Sequence, residues 1–183
     1  MGERLVAYRA AQASDAEAIA ALHAESWRRN YRGAYSDAFL DGDVFADRLE
    51  VWTTRLCAPD RDAHTVVAEA DEGIVGFGHT ILEAHTKWGA LVENLHVIHE
   101  RRGDGIGTRL LARSAQAATV GSSHGLFLWV LEQNTAAQGF YQQRGGVCVE
   151  QQLVEPPGGI AGRLAGAPTC LRYVWPDSSE LLV

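Results

Sequence analysis

The sequence predicts one mixed α/β (α+β) domain, a sheet flanked by helices, and three observations predict it. Apolar or β-branched runs of strand length alternate with segments of helical spacing along the whole chain. Asp71-Glu72-Gly73 joins two such runs as a hairpin. The order strand, helix, strand across 90–131 demands a parallel crossover within the sheet. A chain of 183 residues encloses a core without staples. No repeat, low-complexity tract or Pro/Gly/Ser linker divides 1–183, so a single domain with its core over about 5–175 is expected.

In chain order, Leu5 to Arg9 reads as a strand. Ser14-Asp15-Ala16-Glu17 has the form of a capping box and opens a helix to about Trp27, with Ile19, Leu22, His23 and Ser26 on one face. Asn30 to Gly42 is aromatic and turn-rich, and Asp43 to Thr54 is a helix with Asp43 as N-cap and Val44, Leu49 and Trp52 inward. Thr65 to Ala70 and Ile74 to Leu82 form the hairpin. Ala90 to Val97 alternates, placing Leu91, Glu93, Leu95 and Val97 on one face and Val92, Asn94 and His96 on the other. Ile106 to Ala118 is a helix and Leu126 to Leu131 an apolar strand. Thr135 to Arg144 is a helix capped by Asn134 and ended by Gly145-Gly146. Val147 to Leu153 and Thr169 to Trp175 are strands around a loose Pro156 to Pro168 segment.

Composition narrows the function. The formal net charge is −7 and the 16 Lys plus Arg are scattered, which argues against nucleic acid as a partner. An acidic field draws cationic substrates, and equally keeps a protein soluble. Cys57, Cys148 and Cys170 form an odd set without a Cys-x-x-Cys pair, as expected of a chain with no disulfide framework or zinc site. No long apolar run suggests a leader or a membrane span, so a cytoplasmic location is expected.

The strongest chemical signal is Arg102-Gly103-Asp104-Gly105-Ile106-Gly107-Thr108, between a strand and a helix. Glycines there let successive N–H groups face inward at the positive end of a helix, a geometry that receives a diphosphate, although a plain glycine-rich connection would look the same. The spacing is neither a dinucleotide fingerprint nor a Walker loop. His96 and His99 do not share a helical face, and no metal is expected.

Glu93-Asn94-Leu95-His96-Val97, four residues, and then the glycine segment resembles the acyl-CoA signature of the GNAT superfamily, Arg or Gln-x-x-Gly-x-Gly or Ala. A second block, Asn134-Thr135-Ala136-Ala137-Gln138-Gly139-Phe140-Tyr141, is similar to that family's Asn-x-x-Ala-x-x-Phe-Tyr, with Gly146 where the family's final Phe would stand. The resemblance implies a mostly antiparallel sheet of about seven strands, helices on both faces and a splayed central parallel pair. It implies acetyl-CoA as co-substrate and an amine acceptor, in a monomer or homodimer. On this resemblance the backbones of Arg102, Gly103, Asp104, Gly105, Ile106, Gly107 and Thr108 hold the pyrophosphate. Leu95, His96 and Val97 pair with the pantetheine arm, and Asn134 contacts that arm from the far side. Arg101, Arg109 and Arg144 are candidates for charge neutralisation, with solvated surface as the other reading.

Tyr141 matches the family tyrosine that protonates the departing thiolate; a ring packed at a helix face is the plainer reading. Glu93, an acid on the cofactor-facing strand, is the candidate base if burial raises its pKa, and a structural carboxylate paired with an arginine otherwise. His79 is a weaker alternative base. The family's selectivity regions fall here on Trp27, Tyr31 and Tyr35 and on Pro156 to Pro168, where the aromatics either contact the acceptor or fill the gap between helices. The resemblance thus implies direct acetyl transfer to a small amine, an aminated antibiotic or a protein amine, in that order. No cysteine has a partner that would activate it for a covalent route. A sensor that binds acyl-CoA without turnover is the competing expectation.

Overall fold

The structure, a computed structural model, describes residues 5–120 and 124–182; the Met1–Arg4 start lies outside them. Seven strands form one sheet: β1 (Ala7–Ala10), β2 (Ala63–Ala70), β3 (Gly73–His85), β4 (Gly89–Val97), β5 (Leu126–Leu131), β6 (Val147–Leu153) and β7 (Thr169–Trp175). Their order is β1-β2-β3-β4-β5-β7-β6, and every neighbouring pair is antiparallel except β4 and β5. The helices are α1 (Ala16–Asn30), α2 (Asp37–Asp41), α3 (Val44–Cys57), α4 (Ile106–Val120) and α5 (Thr135–Gln142). None of the described helices is long and apolar enough to cross a membrane.

Two layers of core explain the arrangement. On one face Ile19 and Leu22 of α1 and Trp52 of α3 bury against Val67 and Phe77. On the other, Leu111 and Ala115 of α4 and Tyr141 of α5 pack on Ala90, Val92, Leu126, Leu128, Tyr173 and Trp175. Burial of this kind is worth about 1.5–3 kcal/mol for each large apolar side chain. Trp175 also accounts for Gly146: a Cβ there would lie 2.7 Å from Trp175 Cζ2, and the indole N–H donates to the Arg144 carbonyl at 2.7 Å.

Four expectations change in detail. Asp15, not Ser14, stands at the cap position of α1, and its side chain makes no bond to that helix: the carboxylate accepts the Gln12 backbone N–H at 2.8 Å and pairs with Arg9 at 2.7 Å. Asp43 precedes α3 without a side-chain capping bond. The aromatic 30–42 stretch contains a short helix, α2, whose Phe39 and Leu40 are buried. The Pro156–Pro168 segment is not loose: it makes two short 3-10 turns, Ser36 and Ala165 exchange backbone bonds across it with Arg163 and Ala34, and Arg163 pairs with Asp47.

The alternation expected for β4 also breaks. His79 lies opposite Asn94 and Thr80 opposite Val92, so Glu93 has no partner residue on β3 and forms a bulge. Ala90 and Val92 before it, and Leu95 and Val97 after it, pack toward the α4 face. His96 turns instead toward α1, where its ring meets His23 at 4.6 Å. Glu93 therefore does not share a face with Leu95 and Val97, because the extra residue reverses the two-residue period.

β4 and β5 are joined only at Ala90–Leu126 and Leu91–Phe127, and beyond these pairs they part. Two glycines allow the join: Gly89 has φ of 79°, and a Cβ on it would lie 2.2 Å from the Gly125 carbonyl oxygen. Gly89→Ala combines a left-handed backbone with a backbone clash, and the expected loss is at least about 2 kcal/mol, or roughly 4–8 °C in Tm. Thermal unfolding followed by circular dichroism measures it; an unchanged Tm would refute this account of the join.

Candidate active site

Where β4 and β5 diverge they leave a cleft of about 370 Å³. α1 supplies Ser26 and Asn30, with Tyr31 just past its end, β4 supplies Val92 to Val97 apart from Asn94, β5 supplies Leu128 to Val130, and α5 supplies Phe140 and Tyr141. At one end stands the glycine loop. Gly103 and Gly105 take φ of 91° and 79°, conformations that only glycine adopts without strain. The following turn begins α4, whose first N–H groups have no helical acceptor and sit at the positive end of the helix dipole. An anion, above all a diphosphate, is what such a loop receives.

The surrounding side chains fix this loop. Arg101 is 3% exposed and pairs with Glu72 at 2.5 Å and Asp104 at 2.7 Å, so its charge is spent within the protein and Asp104 points to it. Ile106 is buried in the core beneath α4. Gly107 permits close approach of the two helices, since a Cβ there would lie 3.3 Å from Phe140 Cζ. Arg144, just past α5, reaches back to donate to Thr108 Oγ1 at 2.8 Å, with its guanidinium 3.8 Å over the Phe140 ring. It lines the cleft at the α4 N-terminus, and burial pushes its pKa down. Arg102, also at the cleft, contacts Asn30 Oδ1 at 3.4 Å. Arg109 lies instead over Tyr8.

Tyr141 closes the opposite wall. Its ring is 8% exposed and packs against Phe140, Tyr173 and Trp175, while burial pushes its hydroxyl pKa well above the usual phenol value. A phenol so placed stays protonated and able to donate. Asn134 caps α5 by accepting the Ala137 N–H at 3.2 Å, and it lines the cleft. Of the three aromatics expected at an acceptor site, Tyr31 lines the cleft and its pKa is pushed up to about 12 by burial. Trp27 and Tyr35 are 6% and 7% exposed and form the packing beneath it, with centroids 5.4 and 5.0 Å from the Tyr31 ring.

Glu93 is the one carboxylate lining the cleft among the described residues. Its side chain is 32% exposed and pairs with Arg55 of α3 at 2.5 Å, the structural partner that the sequence alone did not identify. His96 lines the cleft with its ring turned down to Ser26 Oγ, 2.8 Å from Nδ1; burial pushes its pKa to about 3. His79 is buried beside Thr65, Nδ1 to Oγ1 2.7 Å, with its pKa pushed to about 4. Both imidazoles are neutral at physiological pH. Among the described residues no group of three or more His, Cys, Asp or Glu is placed to hold a metal ion. The cleft thus gathers Glu93, Leu95, His96, Val97, Arg102, Gly103, Gly105, Gly107, Thr108, Asn134, Tyr141 and Tyr31, and leaves Asp104, Ile106, Trp27 and Tyr35 outside its lining. Ser26 and Asn30 are additions, legible only as polar positions on an otherwise apolar helix face.

Residues 61–145 match the family model of the acetyltransferase (GNAT) domain. An uncharacterized N-acetyltransferase of Bacillus subtilis, YuaI, is 28% identical over 97% of this chain and 96% of its own. Among solved structures, the PaiA N-acetyltransferase of Thermoplasma acidophilum in complex with coenzyme A superposes with a TM-score of 0.70 at 18% identity, covering 93% of this chain and 99% of that one. The spermidine N-acetyltransferase SpeG of Vibrio cholerae, a mutant form, gives 0.66 at 21% identity over 97% and 96%.

The buried imidazoles make stability depend on pH. His79 and His96 have folded pKa values below the ordinary 6.5, so below that pH the unfolded chain binds protons that the folded chain does not. Stability is therefore full above about pH 6.5 and falls as the pH drops toward 4, by roughly 2–3 kcal/mol per pH unit near pH 5 from these two groups. Urea unfolding at pH 7, 6 and 5 checks this; a flat profile would contradict it.

Proposed function

We propose that this chain, whose residues 61–145 match the GNAT acetyltransferase domain, transfers the acetyl group of acetyl-CoA to a primary amine of a small molecule or peptide, by direct attack in a ternary complex. The observation that carries this reading is the meeting, in one cleft, of an anion-receiving glycine loop and a buried, protonated Tyr141. Coenzyme A bound to the Thermoplasma relative supports the choice of ligand.

The residues fit the cofactor. The backbone of Arg102 to Thr108, with Arg144 and Arg102 beside it, would hold the pyrophosphate. The free edge of Leu95, His96 and Val97 would pair with the pantetheine arm, faced by Asn134. Acetyl-CoA supplies an activated thioester; the rest is done by the protein. Glu93, a third exposed and paired with Arg55 rather than desolvated by burial, would take the amine proton, directly or through water, since an ammonium has no lone pair to attack with. Tyr141 donates its proton to the leaving sulfur, and its burial among Phe140, Tyr173 and Trp175 fixes the hydroxyl while excluding water from that side. Tyr31 forms the acceptor wall. The neutral His79 is the weaker candidate for the base.

Small amines head the acceptor classes, ahead of aminated antibiotics and protein amines; the spermidine named for the Vibrio relative falls in the first, and the net charge of −7 suits a cationic molecule. The enzyme would work in the cytoplasm as a monomer or homodimer. A sensor without turnover would share the loop, but has no use for a phenol held protonated against the cleft.

Release of free thiol from acetyl-CoA, screened over a panel of amines, tests the activity, and Tyr141→Phe tests its chemistry. The substitution keeps the ring and its packing while deleting the hydroxyl. Turnover at saturating acetyl-CoA should fall about a hundredfold to ten-thousandfold with cofactor affinity unchanged. Near wild-type turnover would remove Tyr141 from the mechanism, and binding of acetyl-CoA without amine-dependent thiol release would favour the sensor.

A further inference from the structure

The β4 bulge takes Glu93 out of the ladder with β3 and so re-aims its side chain, as bulges beside active sites do. The carboxylate then meets a guanidinium from another layer: Arg55 Nη1 lies 2.5 Å from Oε2, with the two side chains 30% and 32% exposed. The ion pair is made through Oε2.

Arg55 is itself fixed. It stands in the last turn of α3, where the helix end favours a cation, and its guanidinium lies 5.2 Å over the Trp52 ring. Trp52 is fully buried and donates its indole N–H to His23 Nδ1 at 3.0 Å. His79 shares this corner, edge-on to Trp52 at 5.5 Å, with Nδ1 engaged by Thr65. Burial keeps that imidazole neutral, and the Arg55 cation adds to the effect, so it does not compete for the Glu93 carboxylate.

We infer that Arg55 is a positioning residue of the transfer reaction, tying one oxygen of Glu93 at the cleft wall and leaving the other for the amine proton or the water that carries it. The inference rests on the reading of Glu93 as base. In the step it serves, the amine gives a proton to Glu93 and forms its bond to the acetyl carbon. The carbon–sulfur bond breaks and the sulfur takes a proton from Tyr141; the phenolate recovers one from the nitrogen, which sheds its second proton as the amide forms, and the proton on Glu93 leaves to solvent through its exposed third. Arg55 transfers nothing. It acts only by holding the carboxylate, which distinguishes it from a residue that binds the cofactor or the fold.

A double-mutant cycle separates these roles. Turnover is measured by thiol release at saturating acetyl-CoA and amine for Arg55→Met, Arg55→Lys, Glu93→Gln and the Arg55→Met/Glu93→Gln pair, with acetyl-CoA binding followed by calorimetry. Arg55→Met should lower kcat about tenfold to hundredfold, the range expected when a reacting group loses its geometry, with acetyl-CoA affinity unchanged. Arg55→Lys should restore most of it, and the double variant should be no slower than Glu93→Gln. Unchanged kcat in Arg55→Met, or the same loss repeated in the Glu93→Gln background, overturns the inference while leaving the base reading intact. Wild-type turnover in Glu93→Gln overturns both.

Discussion

The ladder between β4 and β5 has two residue pairs among the described residues, Ala90–Leu126 and Leu91–Phe127, and the rest of the molecule is arranged around what happens past them. A parallel pair in the middle of a sheet ordinarily continues its ladder, because a buried N–H or C=O without a partner costs free energy comparable to a lost hydrogen bond. Here the strands part after Leu91. The facing edges of β4 and β5 are left for water or a ligand to satisfy, at the place where the glycine loop and α5 converge. Gly89 and Gly125 bring the two backbones close enough to start the pair, and the divergence opens the 370 Å³ cleft beyond it.

The same divergence sorts the chemistry by position. Where β4 ends, the chain turns through Gly103 and Gly105 into α4, so the unpaired N–H groups of the helix start and the Arg144 and Arg102 side chains collect at one end. The bulge places Glu93, the lone acid of the described lining, further back on the strand and hands it to Arg55. Tyr141 is carried in from α5, and its position depends on Gly107 letting Phe140 pack closely on α4 and on Trp175 filling the space beside Gly146. An anionic arm entering from the loop would therefore run past Tyr141 toward Glu93. The neutral His96 and His23 underlie the β4 side of this path without adding charge to it.

Local signals made much of this legible in the sequence. The glycines at 103, 105 and 107 report backbone conformation and close approach, which depend on few neighbours, and Asn134 caps its own helix; both are where the sequence places them. The parallel crossover and the hairpin at Gly73 follow from connection length and turn chemistry. What escaped depends on distant residues. The bulge at Glu93 is set by register against β3, not by β4 itself, and its Arg55 partner is 38 positions away on α3, at no spacing a sequence reveals. The 156–168 segment reads as loose by composition but is ordered through Arg163 and Asp47, which its own residues do not announce. Trp27, Tyr31 and Tyr35 illustrate the limit: aromatic residues at helical spacing signal burial, and only packing shows that Tyr31 reaches the cleft while the other two support it.

If the parted strands are where the cofactor arm is held, their backbones must gain partners when it binds. Hydrogen exchange followed by mass spectrometry, with and without saturating acetyl-CoA, reads this directly. Segments 93–97 and 128–131 should exchange more slowly in the complex, together with 102–108, while the β1–β2 edge of the sheet stays unchanged. Protection confined to other segments, with 93–97 exchanging as in the free protein, would contradict the account.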